Sequence, residues 1–71
     1  MKLDARGLKC PLPVLRAQKA LRDLPAGSTL ELLSDDAASK DEVPAFCEQV
    51  GYQLVNTEGE NSTLRFIIQK P

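Results

Sequence analysis

The sequence predicts an α/β (α+β) fold of order β-α-β-α-β-β, in which both helices cover one face of a four-stranded mixed sheet. Three observations lead there. Two strand-like segments are each followed by a helix-like one, and a right-handed crossover then makes the first two strands parallel. The last two strand-like segments are separated only by Gly59-Glu60-Asn61, which makes them an antiparallel hairpin. The first helix-like segment carries its apolar residues on a single stripe, so it covers a sheet on one side.

At the N-terminus, Leu3 and Asp4 end a short strand, and Gly7 lets the chain turn with φ > 0. The first helix runs from Val14 to Leu24. Val14, Ala17, Ala20, Leu21 and Leu24 form its core stripe, and Arg16, Lys19, Arg22 and Asp23 face water. Pro11 is expected at N1, where its fixed φ fits and its missing N–H is no loss, which makes Cys10 the N-cap. Leu24-Pro25-Ala26-Gly27 stops the helix. Ser28 to Ser34 is the second strand: Leu30 and Leu32 point one way, Glu31 and Leu33 the other.

Ser39-Lys40-Asp41-Glu42 has capping-box spacing, yet the ring of Pro44 clashes with the carbonyl four residues back. A loose or 3₁₀ first turn is therefore expected, followed by helix to Val50, with Gly51 as its stop. Tyr52 to Glu58 and Ser62 to Gln69 are the hairpin strands. Cys47, beside Phe46 on the second helix, is expected to pack in the core.

Seventy-one residues make a single domain, 1–71. A chain this short buries only about 60% of the surface its unfolded form exposes, too little for an enzyme that handles several substrates alone, so it is expected to work with partners. Nine basic residues balance ten acidic ones with no basic run, so the electrostatic footprint of a nucleic-acid binder is missing. Met1-Lys2-Leu3-Asp4 begins no signal peptide, and no apolar run approaches the roughly 18 residues of a membrane helix. A cytoplasmic monomer without membrane contact is expected, in a compartment that keeps thiols reduced. With two Cys and no His, neither a metal site nor a cofactor is expected.

Cys10-Pro11-Leu12-Pro13 is the segment that carries chemistry. A helix N-terminus contributes a favourable field of about 0.3–1 kcal/mol to a thiolate, and Arg6, Lys9 and Arg16 add positive charge. Pro13, read as N3, has no N–H, which leaves that of Leu12 as the main local donor. The expected result is a thiol moderately more acidic than the ordinary value of about 8.5. That suits a sulfur that must first attack and later be attacked, since nucleophilicity falls with pKa. Core filler is the commoner fate of a lone Cys, but this polar, turn-forming segment is a poor place for it. A hydrolytic nucleophile needs a positioned base, and the chain has no His. A regulatory thiol, oxidised to a sulfenic acid or a disulfide, is the alternative reading of the same residue.

The run Leu3-Asp4-Ala5-Arg6-Gly7-Leu8-Lys9-Cys10-Pro11-Leu12-Pro13 resembles the N-terminal signature of the TusA/SirA-type sulfur carriers, whose hallmark is Cys-Pro-x-Pro. The likeness continues through Leu30 to the paired Asp35-Asp36 and through Pro44-Ala45-Phe46-Cys47 to the final strands, so it covers essentially the whole chain. It implies a two-layer sandwich with strand order 1-2-4-3. It also implies a sulfur carrier or sulfurtransferase in which Cys10 takes a sulfane sulfur as a persulfide from a cysteine desulfurase or a rhodanese-like donor. The acceptor is a further protein, in tRNA 2-thiouridine synthesis or another sulfur-trafficking route. Two departures bear on partner identity: Leu12 stands where members feeding tRNA thiolation often carry an acidic residue, and Asp41 where they tend to carry a basic one.

Asp4, Gly7, Pro11 and Pro13 are read as setting the turn that presents Cys10. Parallel pairing of the first two strands brings Ser34-Asp35-Asp36 towards it. Asp35 and Asp36 then tune the thiol, contact a partner, or serve as loop and cap residues. Leu12 and Leu15 fall away from the core stripe at 100° per residue and are expected to be partly exposed. With Arg6, Lys9, Arg16 and Lys19 they form a candidate partner-docking patch, the alternative being a solvated helix face.

Overall fold

The computed structural model describes residues 1–9 and 11–71, and Cys10 lies outside the described residues. The elements follow the expected order: β1 (Lys2–Asp4), α1 (Leu12–Asp23), β2 (Thr29–Ser34), α2 (Ser39–Val50), β3 (Gln53–Glu60) and β4 (Thr63–Gln69). The sheet runs β1-β2-β4-β3, with β1 parallel to β2 and the other pairs antiparallel.

Strand alternation decides which side is covered. Leu30, Leu32 and Ser34 of β2 and Phe66 and Ile68 of β4 are buried on the helix side, where they meet Ala17 and Leu21 of α1 and Val43 and Phe46 of α2. The other face is left to water and is charged. Lys2, Glu31, Arg65 and Glu58 form a ladder across all four strands, with N···O separations of 3.7, 2.9 and 3.2 Å. Such surface pairs contribute little to stability, and they keep the uncovered face polar.

The start of α1 differs from the expectation by one residue. Pro11 is the N-cap, with φ −97° and ψ 15°, Leu12 opens the helix, and Pro13 sits buried in its first turn. The cause is a turn in which the Leu12 N–H donates to the Lys9 carbonyl at 2.8 Å, carrying the chain past Pro11 before helical geometry begins. Pro13 is tolerated because first-turn N–H groups have no intrahelical partner. At the other end the Leu24 N–H returns to the Leu21 carbonyl, and Lys70 Nζ, from beyond β4, donates to the carbonyls of Leu21, Arg22 and Leu24 at 2.8, 3.2 and 2.7 Å. A cation on those carbonyls complements the helix dipole.

In α2, Ala38 takes the N-cap position without a side-chain bond, so the capping box does not form. Ser39 points inward instead. Its N–H and those of Lys40 and Asp41 reach back three residues, to Asp36, Ala37 and Ala38, which is the tight entry expected upstream of Pro44. Gly51 ends the helix at φ 83°, and Phe46 meets Tyr52 edge-on at 5.8 Å, holding the turn into β3.

The hairpin turn is not Gly59-Glu60-Asn61 but Asn61-Ser62, with φ of 50° and 66°, and Glu60 pairs with Thr63. Gly59 remains in the strand opposite Leu64, whose side chain lies 3.4 Å from where a Cβ on Gly59 would stand. β3 thus runs two residues further than expected and β4 starts one later, with Phe66 and Ile68 on the core side. No helix among the described residues is long and apolar enough to cross a membrane.

Candidate functional site

The loop between β1 and α1 is built by hydrogen bonds that begin where the strand ends. Ala5, buried, extends the parallel pairing by one bond, its N–H to the Leu33 carbonyl at 2.8 Å. Asp4 then folds the next residue back: its Oδ1 accepts the Arg6 N–H at 3.0 Å, an Asx turn. The Arg6 guanidinium closes on the same carboxylate at 2.9 and 2.7 Å. These bonds, the guanidinium's first, hold the Asp4 carboxyl down at about 2. Gly7 follows at φ 85°, and the Leu8 N–H returns to the Ala5 carbonyl.

Asp35 reaches this loop from the neighbouring strand end. Its Oδ1 accepts the Gly7 N–H at 2.9 Å, a contact between residues 28 positions apart. Asp36 is turned the other way and accepts the Ala38 N–H at 3.1 Å with its Oδ1. The expected meeting of the two strand ends is thus present in the described residues. Gly7, Leu8 and Lys9 face Asp35, Asp36 and Ala37 across a depression of about 160 Å³. A space of that size takes a few atoms, well below the roughly 300 Å³ of an ordinary ligand site.

Cys10 itself lies outside the described residues, and the N-cap position expected for it is held by Pro11. The Leu12 N–H, expected to face the sulfur, donates to the Lys9 carbonyl at 2.8 Å. Leu12 and Leu15 are 43% and 50% exposed, in line with the periodicity. The basic residues around them line different depressions. Arg16 and Lys19 share a depression with Leu3 and Ala20, Lys9 faces Asp35 and Asp36, and Arg6 lies with Leu33 and Arg65 on the open sheet face. Cys47 is 2% exposed, and burial pushes its thiol above the ordinary range.

One feature of the site's support is missing from the sequence reading. Ser34 and Ser39, both buried, share a hydrogen bond of 2.7 Å behind the Asp35-Asp36 turn. The signal was there: alternation puts Ser34 on the same face as Leu30 and Leu32, a hydroxyl at a core position.

The sulfurtransferase TusA family model matches residues 1–70. Among solved structures, the chain is similar to the crystal structure of a SirA-like protein from Desulfitobacterium hafniense. The two are 37% identical with a TM-score of 0.83, over 94% of this chain and 92% of that one.

Proposed function

The chain belongs to the TusA sulfurtransferase family, a family of sulfur carriers that work with partner proteins, and on that premise we propose that Cys10 accepts a sulfane sulfur as a persulfide and relays it to an acceptor protein. The Cys10 thiolate attacks the outer sulfur of a donor persulfide. The donor's sulfur–sulfur bond breaks, the donor thiolate leaves, and the new sulfur–sulfur bond forms on Cys10 with its proton retained on the outer sulfur. Thiolate exchange of this kind balances with no added oxidant and needs no base from a chain without His.

The observation that carries the reading is the loop anchored by Asp4 and Asp35, which leads through Gly7 and Lys9 into a helix opened by Pro11-Leu12-Pro13. In this reading Asp4, Gly7, Pro11 and Pro13 hold the loop that presents the thiol. A cysteine desulfurase or a rhodanese-like protein supplies the sulfur, in a reducing cytoplasm. The machinery of tRNA 2-thiouridine synthesis, or another sulfur-trafficking route, consumes it.

Mass spectrometry after incubation with a cysteine desulfurase and cysteine tests the proposal. The expected product carries one added sulfur atom at Cys10, removable by reductant, and Cys10→Ser acquires none. Retention of sulfur by that variant overturns the assignment, and oxygen adducts alone favour a redox-sensing thiol.

A further inference from the structure

We infer that the buried Ser34–Ser39 hydroxyl pair is a positioning device for the thiol-bearing loop, acting on Cys10 through Asp35 and Gly7. The inference rests on the sulfur-carrier reading for its purpose, and on the hydrogen bonds of the β2–α2 connection for its content.

A strand's last core-facing position is ordinarily filled by an apolar side chain, because a buried hydroxyl costs free energy unless it is bonded. Ser34 and Ser39 are 0% and 2% exposed. Their hydroxyls bond each other at 2.7 Å, and Ser34 Oγ also accepts the Asp36 N–H at 3.2 Å. Among the described residues no buried side-chain N or O is left without a partner. Two alanines would fill the same places without needing those bonds, so packing alone does not call for the pair.

Geometry shows what the pair holds. Ser34 is the last residue of β2 and Ser39 the first of α2, so their bond closes residues 35–38 into a ring pinned at both ends. Inside the ring the Ser39 N–H goes to the Asp36 carbonyl at 3.0 Å, and Asp36 Oδ1 takes the Ala38 N–H. Among the described residues, Asp35 Oδ1 links the ring to the thiol loop by accepting the Gly7 N–H, where Gly7 stands three residues before Cys10. A water-exposed hydrogen bond competes with solvent, and it persists when the backbone at each end is already fixed. Asp4 fixes the Gly7 end. The serine pair fixes the other.

The test uses the full chain in a Cys47→Ala background, so that alkylation reports Cys10 alone. Ser34→Ala/Ser39→Ala removes both partners together, and its stability is expected to stay near the parent's because no hydroxyl is stranded. The Gly7 amide is expected to exchange about tenfold faster, and the pH profile of Cys10 alkylation to move. Ser39→Thr, which keeps a hydroxyl, is expected to restore both. In an Asp35→Ala parent the serine changes are expected to add nothing to Gly7 exchange. Unchanged Gly7 exchange and an unmoved profile in the folded double variant overturn the inference, as does full additivity in Gly7 exchange with Asp35→Ala. Should the double variant not fold, Ser34→Ala alone carries the same cycle. Alkylation needs no sulfur donor, so a protein that shows these shifts yet accepts no sulfur overturns the carrier reading and leaves the positioning role standing.

Discussion

Asp35 accepts the backbone N–H of Gly7 at 2.9 Å, and through that bond the end of β2 is tied to the loop that leads to Cys10. Backbone pairing of β1 with β2 ends at Ala5 and Leu33, so a side chain continues the connection where the ladder stops. Asp35→Ala is expected to lower stability by about 0.5–1.5 kcal/mol, the usual net worth of one such bond. It should also raise hydrogen exchange at Gly7 with little change in the core of β4. Denaturant unfolding and amide exchange measure both, and an unaltered Gly7 exchange rate contradicts the tie.

Asp4 shares the acid limb of the stability curve with Glu31, whose carboxyl the Arg65 guanidinium also holds down. The Asp4 carboxyl is lowered from 3.8 to about 2, first by the hydrogen bond from the Arg6 side chain and then by the Arg6 N–H. A depressed carboxyl stabilises the fold above its unfolded pKa, and the contribution drains away as pH falls through the folded value. The loss therefore lies between about pH 4 and pH 2. Asp4→Asn is expected to reduce the slope of the stability curve in that window and leave it parallel to the parent above it. Carboxyl NMR titration should place the Asp4 midpoint near 2, and a midpoint near 4 removes the Asx-turn clamp.

Cys47 acts at the opposite end of the pH scale. Burial raises its thiol above the ordinary value, so its contribution is whole below the unfolded pKa and fades as pH rises towards the folded one. Cys47→Ala is expected to cost about 1 kcal/mol, the scale of one lost buried heavy atom, and to flatten the alkaline limb. Sulfur transfer should persist. Its loss in a folded Cys47→Ala protein would make Cys47 a resolving thiol.

The architecture was legible because two periods run through the chain without conflict: α1 buries Ala17 and Leu21, and β2 alternates from Leu30 to Ser34. What was not legible depended on contacts between distant residues or on ties between equivalent local choices. Prolines at 11 and 13 fit either of two adjacent helix frames, and the Lys9–Leu12 turn selects one. Gly59 is the stronger local turn signal, but it pairs with Leu64 inside the strand and the reversal falls at Asn61-Ser62. A turn set by Asp4 was readable from sequence, whereas the ion pair that ties Arg6 to the same carboxylate is revealed only by side-chain geometry.

The docking prediction is narrowed by that ion pair. Leu12 and Leu15 present exposed apolar surface on the first turn of α1, beside the position of the thiol in sequence, and Arg16 and Lys19 flank them on the side towards β1. An apolar centre with a charged rim is the anatomy of a protein interface, and rim charges govern encounter more than final affinity. Charge reversal at Arg16 and Lys19 is therefore expected to slow sulfur transfer from the cognate donor at low salt, with the difference shrinking as ionic strength shortens the Debye length. Leu15→Ala is expected to slow transfer at every salt concentration, because the area it contributes is not screened. At high salt, where the Arg16 charge is screened from the thiol, alkylation of Cys10 by a small reagent should match the parent in both variants, since neither change touches the loop from Asp4 to Lys9. Arg6→Ala supplies the contrast: its guanidinium serves Asp4, so its effect should appear in the acid stability curve rather than in the salt dependence of transfer. Transfer rates that stay at the parent level for the reversed variant at low and high salt remove Arg16 and Lys19 from docking. An Arg6→Ala variant whose transfer rate shows the salt dependence instead moves the rim to the open face of the sheet.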